Sequence, residues 1–229
     1  MCIRDRYELN AAILTETWFV EGHSLRTELD DMEYAENIGM VLRNRGKRGG
    51  GVVVAFDKAK ISLKEFKIPG NKYEMVCGVG SFSNSNRKVS LIALYIPPKQ
   101  RVATTKKLKE CITDRINKLK TTYEYPIIII AGDTNNRKLS DLVSDFDDME
   151  VLDCAATRGN AKLDETATNV NQRVTKCDVK PPLCSDSGTA SDHNAVLIQM
   201  DLPNVHHFTK KKCLIISPLL RTEKRCSLP

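Results

Sequence analysis

The residues with the clearest chemical potential stand where apolar segments end. Asp133 and Asn135 directly follow the apolar run from Ile127 to Gly132. A buried strand that ends in a tight glycine turn presents a carboxylate at the edge of its sheet. Asp192 and His193 directly precede another apolar segment. A carboxylate can bind a divalent cation while an adjacent imidazole contacts a phosphate, so this pair is one candidate for metal-assisted chemistry at a phosphoryl group.

Three further candidates have a similar placement beside apolar runs. Glu16 stands inside the segment Leu-Thr-Glu-Thr-Trp that ends at Trp18, and a carboxylate among apolar neighbours normally has a partner or a metal. Tyr95 belongs to the segment Leu-Tyr-Ile-Pro-Pro, and Asp164 follows Leu163. These residues extend the set of groups that could act on one substrate.

Each candidate also has an ordinary structural interpretation. Asp and Asn are frequent turn formers after strands, which applies to Asp133 and Asp164. His193 could be a solvated or capping residue at the start of a strand. Glu16 could lie at an exposed strand end, and Tyr95 could be an ordinary strand aromatic. Taken singly, no motif decides between chemistry and structure.

The segments that carry these motifs predict a domain rich in strands. Apolar residues recur at helical spacing between Thr104 and Lys120, which predicts one amphipathic helix lying on a sheet. A shorter helix is predicted around Leu139 to Phe146. Such a series favours two packed sheets with helices outside. The predicted strands are Ala11 to Phe19, Val52 to Phe56, Ile61 to Phe66, Tyr73 to Phe82, Val89 to Ile96, Ile127 to Ile130, Val151 to Ala155, Leu163 to Thr168, Arg173 to Val179 and Asn194 to Met200.

The length of 229 residues fits one large domain. We expect that domain to span residues 9–202. Residues 1–8 have no strand or helix period and are expected to be a non-native start or the end of a helix. Residues 203–229 are expected to be a linker or tail, because Lys210-Lys211-Lys212 interrupts short apolar pieces there.

Composition and charge narrow the class of protein. Hydrophobic residues make up 41% and charged residues 28%, which is typical of globular proteins and excludes global disorder. The net charge of +6 favours an anionic partner such as nucleic acid, although many unrelated proteins carry a similar excess. No apolar run is long enough to cross a bilayer, and the first residues do not form a signal peptide, so we expect neither membrane insertion nor secretion.

The cysteines and a basic loop add two minor expectations. The eight cysteines include no CxxC pair and no His partner at metal-ligand spacing. Scattered reduced thiols in an intracellular protein are therefore expected. The basic, glycine-rich turn from Arg43 to Gly51 predicts a hairpin, and its arginines could contact DNA.

The order of the motifs along the chain resembles the endonuclease/exonuclease/phosphatase family over about residues 9 to 202. The motifs are Leu-Thr-Glu-Thr-Trp, Tyr-Ile-Pro-Pro, Gly-Asp-Thr-Asn, Leu-Asp followed by Thr168-Asn169, and Ser-Asp-His. The first motif, the Arg-Gly-Gly-Gly turn at residues 48–51 and the Thr157-Arg158 pair are similar to the endonuclease domains of LINE-type (non-LTR) retrotransposons. The resemblance implies an α+β fold built as a four-layered α/β sandwich, with two packed, mainly antiparallel sheets and helices outside.

The resemblance also implies which residues bind the metal, which one acts as the general base and which one donates to the phosphate. Glu16 matches the principal metal-binding carboxylate, and Asp192 matches a carboxylate near the metal. The implied cofactor is Mg²⁺, with Mn²⁺ as an alternative. Asp133 matches the group that orients or deprotonates the attacking water, and Asn135 matches a hydrogen-bond donor to the phosphate.

The remaining matches concern the scissile phosphate itself. His193 matches a histidine that contacts this phosphate, Asp164 matches the carboxylate that orients that imidazole, and Tyr95 matches a phenol near the phosphate. An Asp partner raises the pKa of an imidazole and fixes its tautomer. The implied site therefore has a cationic donor at neutral pH.

Together these matches imply a Mg²⁺-dependent phosphodiesterase. Its implied activity is to nick duplex DNA in the nucleus as part of a retrotransposon-derived protein. Two alternatives are a phosphatase of the same fold, acting on inositol phosphates or lipid head groups, and an inactive truncated retroelement remnant. Nicking of plasmid DNA against release of phosphate from a soluble head group discriminates among them.

Three departures from the family pattern stand beside the matches. The family begins with a strand that carries a metal-binding Asn, and that strand is absent from this sequence, so we expect a gap in the centre of one sheet. Thr134 replaces a more usual aromatic residue after Gly-Asp. Glu165-Thr166 stands where an apolar strand is common.

Overall fold

The computed structural model describes residues 9–17, 37–43, 50–67, 73–83, 85, 87–181 and 192–201, together with the backbone of residues 210–218. Among these residues, no helix combines the length and the apolar character needed to span a membrane. The expectations for residues 1–8, for Ser191 and for the basic loop at residues 44–49 lie outside the described residues.

Twelve strands and two α-helices follow one another along the described chain. Most of them coincide with the apolar runs that predicted them, within a few residues at each end. They are β1 (Ala11–Thr15), β2 (Ile38–Arg43), β3 (Val52–Asp57), β4 (Ile61–Glu65), β5 (Met75–Phe82), β6 (Lys88–Tyr95), α1 (Val102–Thr122), β7 (Ile127–Asp133), α2 (Leu139–Val143), β8 (Glu150–Val151), β9 (Asp164–Thr168), β10 (Val174–Lys180), β11 (Ala195–Asp201) and β12 (Lys210–Pro218).

The strands form two six-stranded sheets. The first has the spatial order β10-β11-β12-β1-β3-β2, and the second has the order β4-β5-β6-β7-β9-β8. Neighbouring strands are antiparallel except for β1 with β12 and β6 with β7. Strands β6 and β7 are parallel because α1 lies in the connection between them and carries the chain back to the same end of the sheet.

The sheets pack face to face over one apolar core. Alternate residues of β1 and β3, such as Ile13, Val52 and Val54, meet Val89 and Ile129 of the second sheet in this core. The other face of the second sheet packs against α1 and α2, where the predicted helical stripe Leu108, Ile112, Ile116 and Leu119 is buried. This is the predicted α+β sandwich. The described residues provide three of its four layers, since none of them forms a helix on the outer face of the first sheet.

The predicted tail is the main error in the sequence analysis. Residues 210–218 form β12, which pairs with β11 on one side and with β1 on the other. The interpretation of residues 203–229 as a linker or tail is therefore wrong for this segment, and the expected central gap beside β1 is filled. The three lysines obscured the strand because they resemble tail composition, whereas Cys213 to Ile216 is its apolar part.

One disulfide overturns part of the expectation about cysteines. Cys154, which follows β8, is bonded to Cys177 on β10. The bond links the two sheets through their shared core. Among the described residues, Cys77 and Cys111 are free thiols, as expected. Simple spacing could not reveal this pair, because the two cysteines are distant in sequence and approach only when the sheets pack.

The packing predicts a contrast between two Val→Ala substitutions. Val89 is completely buried between the sheets, whereas Val102 at the start of α1 is 73% exposed. Val89→Ala should lower the free energy of unfolding by about 2 kcal/mol, because it removes buried methyl groups and leaves a cavity. Val102→Ala should leave it unchanged or slightly raised, since alanine favours helix. Urea denaturation measures both. Equal effects of the two substitutions would contradict the placement of Val89 in the core.

Candidate active site

One edge of the sandwich collects the polar ends of five strands. In the second sheet, Tyr95 at the end of β6 is the Cα partner of Asp133 on β7. Asp133 is in turn the partner of Asp164 at the start of β9. In the first sheet, Glu16 directly follows β1 and His193 shortly precedes β11. Because β11 is antiparallel to β12 and β12 is parallel to β1, both residues stand at the same end of that sheet.

Glu16 joins the two sheets at this edge. The Tyr95 hydroxyl donates a hydrogen bond to Oε1 of Glu16 over 2.6 Å. Glu16 adopts a positive φ of 49°, which turns the chain as it leaves β1. Burial and the hydrogen bond to Glu16 raise the pKa of Tyr95 above its usual range. The phenol therefore remains protonated and acts as a donor at neutral pH.

Asp133 is held by the turn that follows β7. Its carboxyl group is almost fully buried, and its Oδ1 accepts the backbone N–H of Asn135 over 2.8 Å. A side chain at Gly132 would place Cβ 1.7 Å from the carbonyl oxygen of Leu94, so glycine is required where β7 approaches β6. Burial raises the pKa of Asp133 to about 7, with smaller contributions that include the charge of Asp164. Asp133 can therefore accept a proton near neutral pH.

Asn135 stands beside Asp133 in the same turn. It has a positive φ of 49°, a conformation that Asn tolerates better than most residues. Its side-chain amide donates a hydrogen bond to the carbonyl oxygen of Ile96 over 2.8 Å. This contact fixes the amide between the ends of β6 and β7.

His193 and Asp164 form a second link between the sheets. Nδ1 of His193 lies 2.8 Å from Oδ2 of Asp164, and both side chains are buried. Because a carboxylate accepts, Nδ1 carries the hydrogen in this pair. Burial opposes the charged imidazole, but the hydrogen bond and charge of Asp164 outweigh it and raise the pKa of His193. The backbone N–H of Asp164 donates to Oγ1 of Thr157, which anchors the acidic partner.

Asp192 lies at the exposed mouth of this arrangement. It forms an ion pair with Arg158 at 2.6 Å, and its side chain is 64% exposed. Its Oδ1 is 4.0 Å from Nε2 of His193. The structure thus brings Asp192 beside His193, but describes no contact between Asp192 and Glu16, the other predicted metal ligand. Thr157-Arg158 was part of a recognised motif, yet it gave no sign that Arg158 pairs with Asp192.

Thr134 and Glu165, two residues that depart from the family pattern, contact each other. The hydroxyl of Thr134 donates to Oε2 of Glu165 over 3.2 Å, and the same oxygen accepts the backbone N–H of Leu139 over 2.5 Å. Glu165 therefore ties the turn after β7 to the start of α2. In the sequence, Thr134 and Glu165 are two separate departures from the family pattern. Their positions directly after Asp133 and Asp164 were a signal that they could belong to the site.

The acidic side chains fit a divalent metal in donor type. Carboxylate oxygens are the ligands that Mg²⁺ prefers, and it commonly uses one or two of them together with waters and phosphates. The negative charges of Asp164 and Glu16 contribute to the raised pKa of Asp133, so these carboxylates are close enough to repel one another. A bound cation would relieve that repulsion. Within the described ranges, no three His, Cys, Asp or Glu side chains converge on one point, so the geometry does not assign the ion.

The predicted residues thus assemble at one edge, while their chemical roles stay predictions. Tyr95 contacts Glu16, and Asp164 contacts His193. Asp133 lies in register between Tyr95 and Asp164. Asp192 stands at the outer side of this set.

No protein-family model and no curated protein sequence matches the chain. Solved structures do match it. The endonuclease domain of TRAS1, a telomere-specific non-LTR retrotransposon, is 12% identical, with a TM-score of 0.55, and the match covers 86% of this chain and 88% of that one. TDP2 of D. rerio, solved with a single-strand DNA product, is 14% identical, with a TM-score of 0.58 and coverage of 85% and 87%.

A third similar structure has a different activity in its name. The mannosyl-6-phosphatase of Bacteroides thetaiotaomicron is 12% identical, with a TM-score of 0.62 and coverage of 87% of this chain and 88% of that one. A further match from Bacteroides vulgatus, described as an endonuclease/exonuclease/phosphatase, is 13% identical, with a TM-score of 0.62 and coverage of 87% of both chains. The present chain therefore has the fold of the endonuclease/exonuclease/phosphatase proteins.

Proposed function

We propose that this chain is a metal-dependent phosphodiesterase that nicks duplex DNA as part of a retrotransposon-derived protein. The observation that carries the proposal is the buried His193–Asp164 pair, which stands at the same edge as the Tyr95–Glu16 hydrogen bond with Asp133 in register between. This edge combines a cationic donor, a neutral donor and a proton acceptor. Hydrolysis of a phosphodiester uses these three kinds of group.

Different residues of the chain would perform the separate tasks of the reaction. Asp133, with a pKa of about 7, accepts a proton as water attacks the phosphorus. The new phosphorus–oxygen bond forms as the bond to the leaving oxygen breaks. The protonated His193 donates a hydrogen bond to a phosphoryl oxygen, whose negative charge increases. The Tyr95 hydroxyl, which has one hydrogen, donates to the phosphate only after it gives up Glu16 as its acceptor. Asp164 holds the imidazole in position.

Mg²⁺, or Mn²⁺ in its place, is the proposed cofactor, with Glu16 and Asp192 as its proposed ligands. It would supply positive charge to the phosphate and the leaving oxygen. Glu16 is the stronger of the two assignments, because it is close enough to Asp133 to affect its pKa. Asp192 is paired with Arg158 and would have to exchange that partner for the metal.

Three observations support DNA as the substrate. The motifs resemble those of LINE-type endonuclease domains, the net charge is +6, and the similar structures include a retrotransposon endonuclease domain and a TDP2 with a DNA product. A nuclear place of action follows from this substrate and is part of the proposal. A phosphatase activity is the second candidate, because a mannosyl-6-phosphatase shares the fold.

Purified protein should convert supercoiled plasmid to open circles in the presence of Mg²⁺ and not with excess EDTA. Asp192→Ala should reduce nicking at least tenfold, because it removes a proposed metal ligand at an exposed position where the fold does not depend on it. Asp147→Ala, at another exposed aspartate, is the matched control and should nick normally.

Folded protein that fails to nick DNA would refute the proposed endonuclease activity. Release of phosphate from mannose 6-phosphate or an inositol phosphate would then support the phosphatase. Loss of both activities would support the inactive remnant.

Asp164→Asn tests the paired imidazole. Without the charge of Asp164, the pKa of His193 should fall, since the carboxylate favours the cationic ring. Nicking at pH 7 should fall by about tenfold to a thousandfold because a charged donor is weakened. NMR titration of the ring proton, assigned by its absence in His193→Gln, measures the pKa. An unchanged pKa would contradict the described pair, and Asp147→Asn serves as the control.

Tyr95→Phe tests the phenol without changing its shape. The substitution removes the donor to Glu16 and should reduce nicking by about tenfold, with little change in the midpoint of thermal unfolding. Tyr125→Phe is a matched control, because Tyr125 is 76% exposed. Full activity in Tyr95→Phe would show that the hydroxyl has no part in the reaction.

A further inference from the structure

Strand β12 lies between the two strands that carry the first-sheet half of the candidate site. It runs parallel to β1 and antiparallel to β11. Ile216 is the Cα partner of Ile13 on one side and of Val196 on the other. At the edge of the sheet, Pro218 pairs with Thr15, the residue before Glu16. His193 precedes β11 at the same edge.

This position makes β12 a spacer between Glu16 and His193. Neighbouring strands lie about 4.8 Å apart, so one interposed strand holds β1 and β11 roughly 10 Å apart. Without it, the two strands either keep unpaired backbone groups or move together to pair with each other. Both outcomes are unfavourable for the site, because unpaired buried groups are costly and a closer pairing moves Glu16 relative to His193.

Each wall of the slot also pairs with a strand other than β12. On one side, β1 pairs with β3 from Ala11 to Thr15. On the other side, β11 pairs with β10, and the disulfide at Cys177 ties β10 to the second sheet. The inward residues Ile13 and Val196 are buried against that sheet. These contacts keep each strand edge formed, whereas the distance between the two edges depends on the strand that lies between them.

Two facing strand edges recognise an extended segment mainly through its backbone. Such strand addition gives affinity through main-chain hydrogen bonds, while alternate side chains give selectivity. Here the occupant is residues 210–218. Its apolar residues 214–216 are in register with Val196, Leu197 and Ile198 of β11, and Ile216 is also in register with Ile13 of β1.

We propose that the slot between β1 and β11 is a binding site for one extended apolar strand, filled here by residues 210–218, and that its occupancy sets the separation of Glu16 and His193. The binding part of the proposal stands by itself. The effect on catalysis rests on the proposed nuclease function.

A strand-exchange experiment tests the binding site in the full chain. A protease cleavage sequence is inserted among residues 202–209, the folded protein is cleaved there, and a fluorescent synthetic peptide of residues 208–220 is added in excess. The cleaved segment should remain bound at first and then exchange with the labelled peptide, as followed by fluorescence anisotropy and native mass spectrometry. Peptides with Ile216→Pro or with a scrambled order of the same residues are the controls and should not enter, because proline cannot complete the ladder.

The uptake of the peptide tests the binding site without any measurement of nicking activity. Saturable uptake of the native peptide alone supports the proposal. Immediate loss of the cleaved segment without uptake, or equal uptake of the scrambled peptide, overturns it. Retention without any exchange over days also overturns it, since the segment would then be a fixed strand of the fold and not the occupant of a binding site.

Ile215→Pro in the uncleaved chain tests the link to the site. Hydrogen exchange should accelerate in β1 and β11, while β5, β6 and β7 stay protected, and nicking should fall at least tenfold. Unchanged exchange in β1 and β11 overturns the spacer role. If every strand loses protection, the substitution has unfolded the protein. The peptide exchange then tests the binding site, because it uses the native sequence of the strand.

Nicking by the native chain separates this proposal from the proposed function. If the native chain does not nick DNA but takes up the peptide, the strand-binding site stands and the nuclease proposal fails. If the native chain nicks DNA and Ile215→Pro nicks equally well despite faster exchange in β1 and β11, the spacer role fails and the nuclease stands.

Discussion

Two hydrogen bonds across the sandwich depend on one constraint, the alignment of both sheets at a common edge. Tyr95 reaches Glu16 and His193 reaches Asp164 only because the ends of β1 and β6, and the starts of β9 and β11, lie at the same height. The apolar core between the sheets sets that height. His193 and Asp164 are both buried, and either side chain would be costly there without its partner. The site and the alignment of the sheets therefore support each other.

The backbone at this edge carries strain that the surrounding contacts must support. Glu16 and Asn135 both have φ near 49°, although neither is glycine. Such conformations cost about 1–3 kcal/mol and persist only where neighbouring interactions determine them. Here Tyr95 holds the Glu16 carboxylate, and the carbonyl oxygen of Ile96 holds the Asn135 amide. The strained backbone and the contacts that maintain it therefore occur at Glu16 and Asn135, two of the site residues predicted from the sequence.

Local patterns predicted the parts of the fold whose residues are neighbours in sequence. The apolar run that forms β7 and the apolar stripe of α1 can be recognised from the sequence alone. Each site residue follows or precedes an apolar element of this kind. The rest required partners that are distant in sequence. The antiparallel pairing of β2 with β3 confirms the hairpin predicted around the turn at residues 43–51, although no strand bounds were predicted before that turn. Gly39 of β2 is needed where the Phe56 ring covers the backbone. The pairing of Thr134 with Glu165 and the disulfide likewise arise only from packing.

The position of β12 has a consequence for how the chain folds. It joins β1, so the middle of the first sheet combines segments from opposite ends of the described chain. Closing so large a loop costs entropy before any contact compensates for it, and such topologies fold slowly. During synthesis, β1 is exposed well before residues 210–218 exist. Its unpaired edge can then pair with strands of other chains. The tendency of the nascent chain to aggregate therefore depends on the time between the synthesis of β1 and its pairing with β12.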